Sequence, residues 1–226
     1  LGRNVQFDIY LPPGYHERNN VTYPLLLVND GQDLPRMNFK KIMKQMNKGQ
    51  AIPPLIVVGI YAGDERIREY GTLRQADYKG RGDKAPQYKS FIMNELLPFL
   101  RGRLAISDHP GEILFAGFSL GGLSALDIAW SEPEVFGGAG IFSGALWWRW
   151  EDVNPDDPDG GRIMHDIILN SDAALHSNQY FWFMAGTGDE DEDRNNNGVI
   201  DAIDDTVHCL ESMITIGLEE EQTRYF

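Results

Sequence analysis

Ile113-Leu-Phe-Ala116, Gly117-Phe-Ser119-Leu-Gly121-Gly122 and Leu123-Ser-Ala-Leu-Asp-Ile-Ala-Trp130 follow one another without a break. Ile113 to Ala116 reads as a buried strand and Gly121 to Trp130 as a helix, with a serine between them. A Gly-x-Ser-x-Gly string alone is a weak signal, but this one opens a helix directly after a strand. Reversing from strand to helix within one residue forces a strained backbone at the serine. Glycines two before and two after it remove the side chains that would collide there. The Ser119 hydroxyl is therefore expected to stand out at the carboxyl edge of a sheet, where the helix dipole favours developing negative charge. The competing reading is an ordinary helix-capping serine, and the paired glycines favour the nucleophile.

Outward from this point, short apolar runs alternate with helical patterns, which is the signature of an α/β chain. Val5 to Leu11 reads as an opening strand that stops at Pro12-Pro13-Gly14. Tyr23 to Asn29, Leu55 to Ile60, Gly138 to Phe142 and Tyr180 to Ala185 read as further strands. Phe39 to Lys48 is amphipathic, with Phe39, Ile42, Met43 and Met46 on one face. Tyr88 to Arg101 repeats Phe91, Ile92, Leu96 and Phe99 at helical spacing. Gly63 to Gln87 is polar and rich in glycine and reads as a long surface loop. The expectation is a mostly parallel sheet with helices on both faces, forming a single domain over 1–226 with an irregular insertion at 144–179.

The composition excludes several classes. With 42% apolar and 24% charged residues in 226, the chain is globular and not disordered. No stretch approaches eighteen consecutive apolar residues, so no membrane span is expected, and a start at Leu1 without a basic and apolar lead implies that any signal peptide has been removed. The net charge of −14 is concentrated late: residues 151–226 carry 19 of the 34 acidic side chains and only 3 of the 20 basic ones. Such a surface repels phosphate backbones, which excludes nucleic acid and favours cation binding. The single cysteine, Cys209, cannot form an internal disulfide and reads as a buried structural thiol.

An attacking Ser119 needs preorganised donors for the oxyanion, one of which is normally the backbone N–H that follows the nucleophile, here Leu120. The second is expected from the glycine turn Asp30-Gly31-Gln32-Asp33 at the same sheet edge, which nominates the N–H of Gln32. The Asp30 and Asp33 side chains read more simply as a solvated turn with local hydrogen bonds.

Val5-Gln-Phe-Asp-Ile-Tyr-Leu-Pro-Pro-Gly-Tyr15, Leu25-Leu-Leu-Val-Asn-Asp-Gly-Gln-Asp33, Gly117 to Gly122 and Phe142-Ser-Gly144 together resemble the esterase D-like branch of the α/β-hydrolases. That branch includes feruloyl and acetyl-xylan esterases, enterochelin-esterase-like enzymes, S-formylglutathione hydrolases and mycolyltransferases. Many of its members carry His-Gly where this chain has Asp30-Gly31. The resemblance implies a triad in the order serine, acid, histidine, with the acid just past the strand that follows the insertion. Met184-Ala-Gly-Thr-Gly-Asp189 fits that place, so Asp189 is the implied acid, with Glu190 and Asp191 as competitors. The implied histidine lies in a loop after the last strand. Downstream of Asp189 there is only His208, on the flank of a helix whose Ile203, Val207, Leu210 and Ile214 face the core. His16, His109, His165 and His176 precede the acid and read as loop or surface residues, although His165 and His176 sit in the insertion and could reach the pocket. Glu221 to Phe226 reads as the start of the final strand, so the histidine loop and closing helix are expected beyond it, about twenty to forty residues more. The other reading is a relic that has lost its base.

A second signal lies in the acidic run. Asp193-Arg-Asn195-Asn-Asn197-Gly198-Val199-Ile-Asp201-Ala-Ile-Asp204 matches an EF-hand calcium loop, with oxygen ligands at positions 1, 3, 5 and 9, glycine at 6, a backbone carbonyl at 7 and a carboxylate at 12. Hard cations need several oxygens at fixed spacing, and packed carboxylates repel one another without one. The last ligand is Asp204 where glutamate is usual. Structural Ca2+ bracing Asp189 is the expectation, against a solvated acidic loop, and no organic cofactor is called for. Trp147, Trp148 and Trp150 could wall an aryl or sugar pocket over Ser119 or simply pack the insertion onto the sheet.

The function expected is a serine carboxylic ester hydrolase working through a Ser119 acyl-enzyme. By resemblance it acts on feruloyl or acetyl esters of polysaccharide or on siderophore esters. The alternatives are an inactive calcium-stabilised binding module on a hydrolase fold, or an acyltransferase. A calcium loop and the family favour a secreted or periplasmic location.

Overall fold

The computed structural model describes residues 1–15 and 21–226, so His16 lies outside the described residues. Seven strands, β1 (Phe7–Tyr10), β2 (Leu25–Asn29), β3 (Ile56–Ile60), β4 (Ile113–Phe118), β5 (Gly138–Phe142), β6 (Tyr180–Met184) and β7 (Thr223–Tyr225), form one sheet. Their order is β1-β3-β2-β4-β5-β6-β7. Only β1 runs antiparallel, pairing with β3; every other neighbour is parallel. Crossovers between parallel strands need connecting helices, and the chain supplies them: α1 (Phe39–Lys48), α2 (Arg66–Glu69), α3 (Ala85–Phe91), α4 (Leu97–Arg101), α5 (Leu120–Ser131), α6 (Ile163–Leu169) and α7 (Asp201–Ile216).

The two sheet faces are covered unequally. Leu25, Leu27, Val58, Ile113, Phe115, Ile141, Phe181 and Phe183 face a large core shared with α3 to α7, while Val28 and Val57 face a small cluster with Phe39 and Met43 of α1. Beyond α1 the second face is open. Tyr180 is 61% and Trp182 48% exposed, giving β6 an alternation that a strand buried on both sides lacks. Leu26, Val28, Leu114, Phe118, Phe142 and Trp182 line an apolar groove of about 520 Å3 along this face.

Two segments are more ordered than their composition suggests. Gly63 to Gln87 is not merely a surface loop: it contains α2, and Glu69, Tyr70, Thr72 and Asp77 are buried in it. Charge pairing explains this, because Arg3 binds Glu69 at 2.8 and 2.6 Å and neutralises a carboxylate that could not otherwise leave water. The next helix also begins earlier than Tyr88, at Ala85, and passes through a π-helical turn at Ile92–Leu96 before Leu97-Pro98 opens α4. A proline that cannot donate to the helix ladder accounts for that break. The insertion likewise carries α6 and a fully buried Trp148, so it contributes to the core. Cys209 is fully buried on α7, and burial pushes its thiol above the usual range. Among the described residues no helix is long and apolar enough to cross a membrane.

Candidate active site

Ser119 occupies the single residue between β4 and α5, with φ 53° and ψ −124°, and it is exposed. A non-glycine residue held there costs on the order of 1–3 kcal/mol and persists only if its surroundings impose it. They do so through the backbone: the Ser119 N–H donates to the Phe142 carbonyl at 3.0 Å, and its carbonyl accepts from Gly122 at 3.0 Å, Leu123 at 3.1 Å and Ala145 at 3.1 Å. The hydroxyl makes no capping bond to the helix. The flanking glycines allow close approach. A Cβ on Gly117 would lie 2.4 Å from the Gly121 carbonyl carbon, and one on Gly121 would lie 2.7 Å from Asp30 Oδ2.

Beside this turn, the end of β2 is locked by polar groups that the strand buries. Asn29 is fully buried; its Nδ2 donates to the Gly121 carbonyl at 2.8 Å and its Oδ1 accepts from the Tyr88 hydroxyl at 2.6 Å. Asp30, in the left-handed region at φ 57°, is buried and accepts two bonds from Arg66, at 2.7 and 2.8 Å. The reading of Asp30 as a solvated turn residue is therefore corrected, since Arg66, 36 residues away, supplies the charge that permits burial. Asp33 remains half exposed. In the turn itself, Asp33 N–H binds the Asp30 carbonyl and Leu34 N–H the Gly31 carbonyl, which leaves the Gln32 N–H outside both bonds. Leu120 stands in the same position at the start of α5, because the helix ladder begins with Gly122. The Gln32 side chain accepts from the Ala62 N–H at 3.0 Å and so ties two loops together.

Phe118 pairs with Phe142 and Phe142 with Met184, so β4, β5 and β6 end at one level. Ser143, just past β5, has φ 45°, and its N–H donates to the Met184 carbonyl at 2.7 Å. Its hydroxyl donates to Asp189 Oδ2 at 2.6 Å, and the Gly186 N–H donates to the same oxygen at 2.8 Å. Asp189 is exposed on the turn after β6, whereas burial holds the neighbouring Glu190 carboxyl above its ordinary range. The described histidines are engaged elsewhere. His208 lies 3.0 Å from Arg162 Nη1, His165 is buried against the Asp205 carbonyl at 2.9 Å, His176 stacks on Trp130, and His109 accepts from Gly111. His165 and His176 are thus packed residues and not loop or surface ones, and burial holds both below the ordinary histidine range.

The acidic loop brings together part of the expected ligand set. Asn195 and Asn197 both reach Asp204 Oδ2, at 2.8 and 2.7 Å, so the side chains at positions 3, 5 and 12 meet at one point. Asp193 accepts from the N–H groups of Asn197 at 3.1 Å and Gly198 at 2.9 Å, and the Val199 N–H binds Asn197 Oδ1 at 2.7 Å. Asp201 is turned away: its Oδ1 accepts from the Arg194 N–H at 2.9 Å and its Oδ2 lies 3.1 Å from Arg194 Nη1. Among the described residues no three His, Cys, Asp or Glu side chains converge, so an ion here would depend on the two amides as well as on Asp193 and Asp204.

Trp147 and Trp148 separate. Trp148 is sealed in the core against Gly71 and Gly82, where no substrate would meet it. Trp147 is half buried and, with Tyr78, Arg81, Arg149 and Asp193, lines an open cavity of about 600 Å3; the Arg81 guanidinium lies over its ring at 5.1 Å. Arg66, Asn29 and Ser143 were not singled out from sequence for a place in the site. An asparagine ending an otherwise apolar strand was the legible signal for Asn29, and nothing local marks Arg66.

A family model described as "Putative esterase" matches residues 1–211. The chain is 29% identical over 150 residues to the uncharacterized protein YbbA of Bacillus subtilis, covering 65% of this chain and 59% of that protein. It is 30% identical over 126 residues to the iron(III) enterobactin esterase of Escherichia coli K12, covering 55% of this chain and 29% of that one. The chain thus matches less than two thirds of the length of these curated relatives. Among solved structures, a ferulic acid esterase superposes with a TM-score of 0.70 at 15% identity, over 98% of this chain and 83% of that one, which shows the α/β-hydrolase fold.

Proposed function

The chain belongs to the Putative esterase family, and from that premise we propose that it cleaves carboxylic esters through an acyl-enzyme on Ser119. The strained, exposed Ser119 between β4 and α5 is the observation that carries this reading. In the proposed step Oγ bonds to the ester carbonyl carbon while its proton passes to a general base. The carbonyl oxygen, now negative, accepts from the Leu120 and Gln32 N–H groups, which the local ladders leave unpaired. Collapse expels the alcohol, which takes the proton from the base, and water repeats the sequence to free the acid and regenerate Ser119. Asp189 is assigned to orient that base.

The substrate class proposed is feruloyl or siderophore esters, a reading supported by the names of the relatives. Calcium is part of the same proposal. Asp193, Asn195, Asn197 and Asp204, with the Val199 carbonyl, would hold it, and the ion would supply rigidity next to Asp189.

The test is hydrolysis of a p-nitrophenyl ester by the wild type and by Ser119→Ala. Loss of at least about 10^4-fold in kcat in the variant, with a stoichiometric burst of p-nitrophenol from the wild type, is expected. Equal rates would overturn the esterase reading and favour a calcium-braced binding module.

A further inference from the structure

Ser143 sits in the left-handed backbone region that disfavours a side chain. It lies at φ 45°, where glycine would sit without penalty, and it is followed by a glycine that could have absorbed the turn. What serine adds over glycine at this point is a hydroxymethyl group, and its hydroxyl donates to Asp189 Oδ2 at 2.6 Å. We propose that Ser143 is a positioning residue for ester cleavage, holding the Asp189 carboxylate at the strand edge where Ser119 also stands. The proposal rests on the esterase reading above and extends it to a residue that touches no substrate.

Three relationships support it. Asp189 is exposed and follows Gly186-Thr187-Gly188, a segment with little side-chain bulk to confine it, so an unheld carboxylate there would sample many orientations. Ser143 and the Gly186 N–H both bind Oδ2, which fixes the plane of the carboxylate and leaves Oδ1 for another partner. The residue is also rigid with respect to the nucleophile: Phe142, its chain neighbour, accepts the Ser119 N–H at 3.0 Å, and the Ser143 N–H is bound to Met184 at 2.7 Å. A hydrogen bond placed on such a frame sets orientation, and small errors of orientation reduce turnover more than binding.

Ser143→Gly separates strain from function, because glycine adopts the left-handed conformation without penalty while the hydroxymethyl group that carries the donor is removed. Wild type, Ser119→Ala, Ser143→Gly, Asp189→Asn and the Ser143→Gly/Asp189→Asn double variant are compared on a p-nitrophenyl ester. Ser143→Gly is expected to melt no lower than wild type, to lose about tenfold in kcat with KM within twofold, and to cause no further loss when Asp189 is already Asn. Unchanged kcat in Ser143→Gly, or losses that multiply in the double variant, would overturn the role of Ser143 while leaving the esterase reading intact. A wild type no faster than Ser119→Ala would defeat both.

Discussion

The Asn29 side chain joins sheet to helix at the site: its amide donates to the Gly121 carbonyl, two residues past Ser119, at 2.8 Å. The same side chain accepts from the Tyr88 hydroxyl, so one buried residue connects β2, α3 and the start of α5. Asn29→Ala would strand a buried hydroxyl and weaken the hold on α5. A loss of about 2–4 kcal/mol in urea denaturation is expected. A change under 0.5 kcal/mol would show that water replaces the amide without cost.

Gly121→Ala tests the closeness of approach. The added methyl would lie 2.7 Å from Asp30 Oδ2 and 3.0 Å from Asn29 Cβ, so either the helix start or the Asp30–Arg66 pair must shift. A destabilisation of about 1–3 kcal/mol is expected, accompanied by reduced ester turnover. Gly188→Ala is the control, because nothing lies within 4 Å of its Cβ position; its stability should stay within about 0.5 kcal/mol of wild type.

Asp127 on α5 gives a pH dependence of defined sign. It is buried, accepts the Leu73 N–H at 2.8 Å, and burial pushes its carboxyl up to about 7 from 3.8, against the smaller opposing effects of that hydrogen bond and of Lys89. The folded state therefore binds the proton more tightly than the unfolded one. This contribution is fully present below about pH 4 and is lost as the pH rises to about 7, to the extent of roughly 2–4 kcal/mol. Asp127→Asn, which keeps the acceptor without the charge, should match wild type at pH 4 and exceed it at pH 8 in urea midpoint. Equal midpoints at both values would count against a proton held by Asp127.

Calcium removal is checked by melting. If the loop from Asp193 to Asp204 holds an ion, a chelator should lower Tm by about 5–10 °C relative to saturating Ca2+, and Asp204→Ala should abolish the difference. An identical Tm with and without chelator would dismiss the ion.

Local pattern made much of this molecule readable. β4, the serine turn and α5 were legible because strand, glycine and helix signals coincide within eighteen residues, and backbone sterics leave few alternatives there. The strands buried on both faces were legible for a similar reason, being short and almost uniformly apolar. The segment from Gly63 to Gln87 was not. Its order comes from ion pairs to Arg3 and Asp30, and such pairing across tens of residues leaves no periodic trace. Trp148 shows the same limit: the sequence offers it equally to pocket or core, and only the notch between Gly71 and Gly82 decides. In the acidic loop, spacing anticipated the meeting of Asn195, Asn197 and Asp204 but not the diversion of Asp201 to Arg194, because the competing cation sits inside the motif itself.

Because three adjacent strands stop level with one another, the sheet acts as a ruler for the chemistry. Strands are spaced about 4.8 Å apart by their ladders, and Ser119 and Ser143, each the first residue beyond its strand, inherit that pitch, while Asp189 is tied to it through the Ser143 hydroxyl. Evolution is then free to lengthen, shorten or replace the segments that meet the substrate while the reacting atoms keep their mutual distances. A scaffold so arranged permits wide divergence in what is cleaved with little in how.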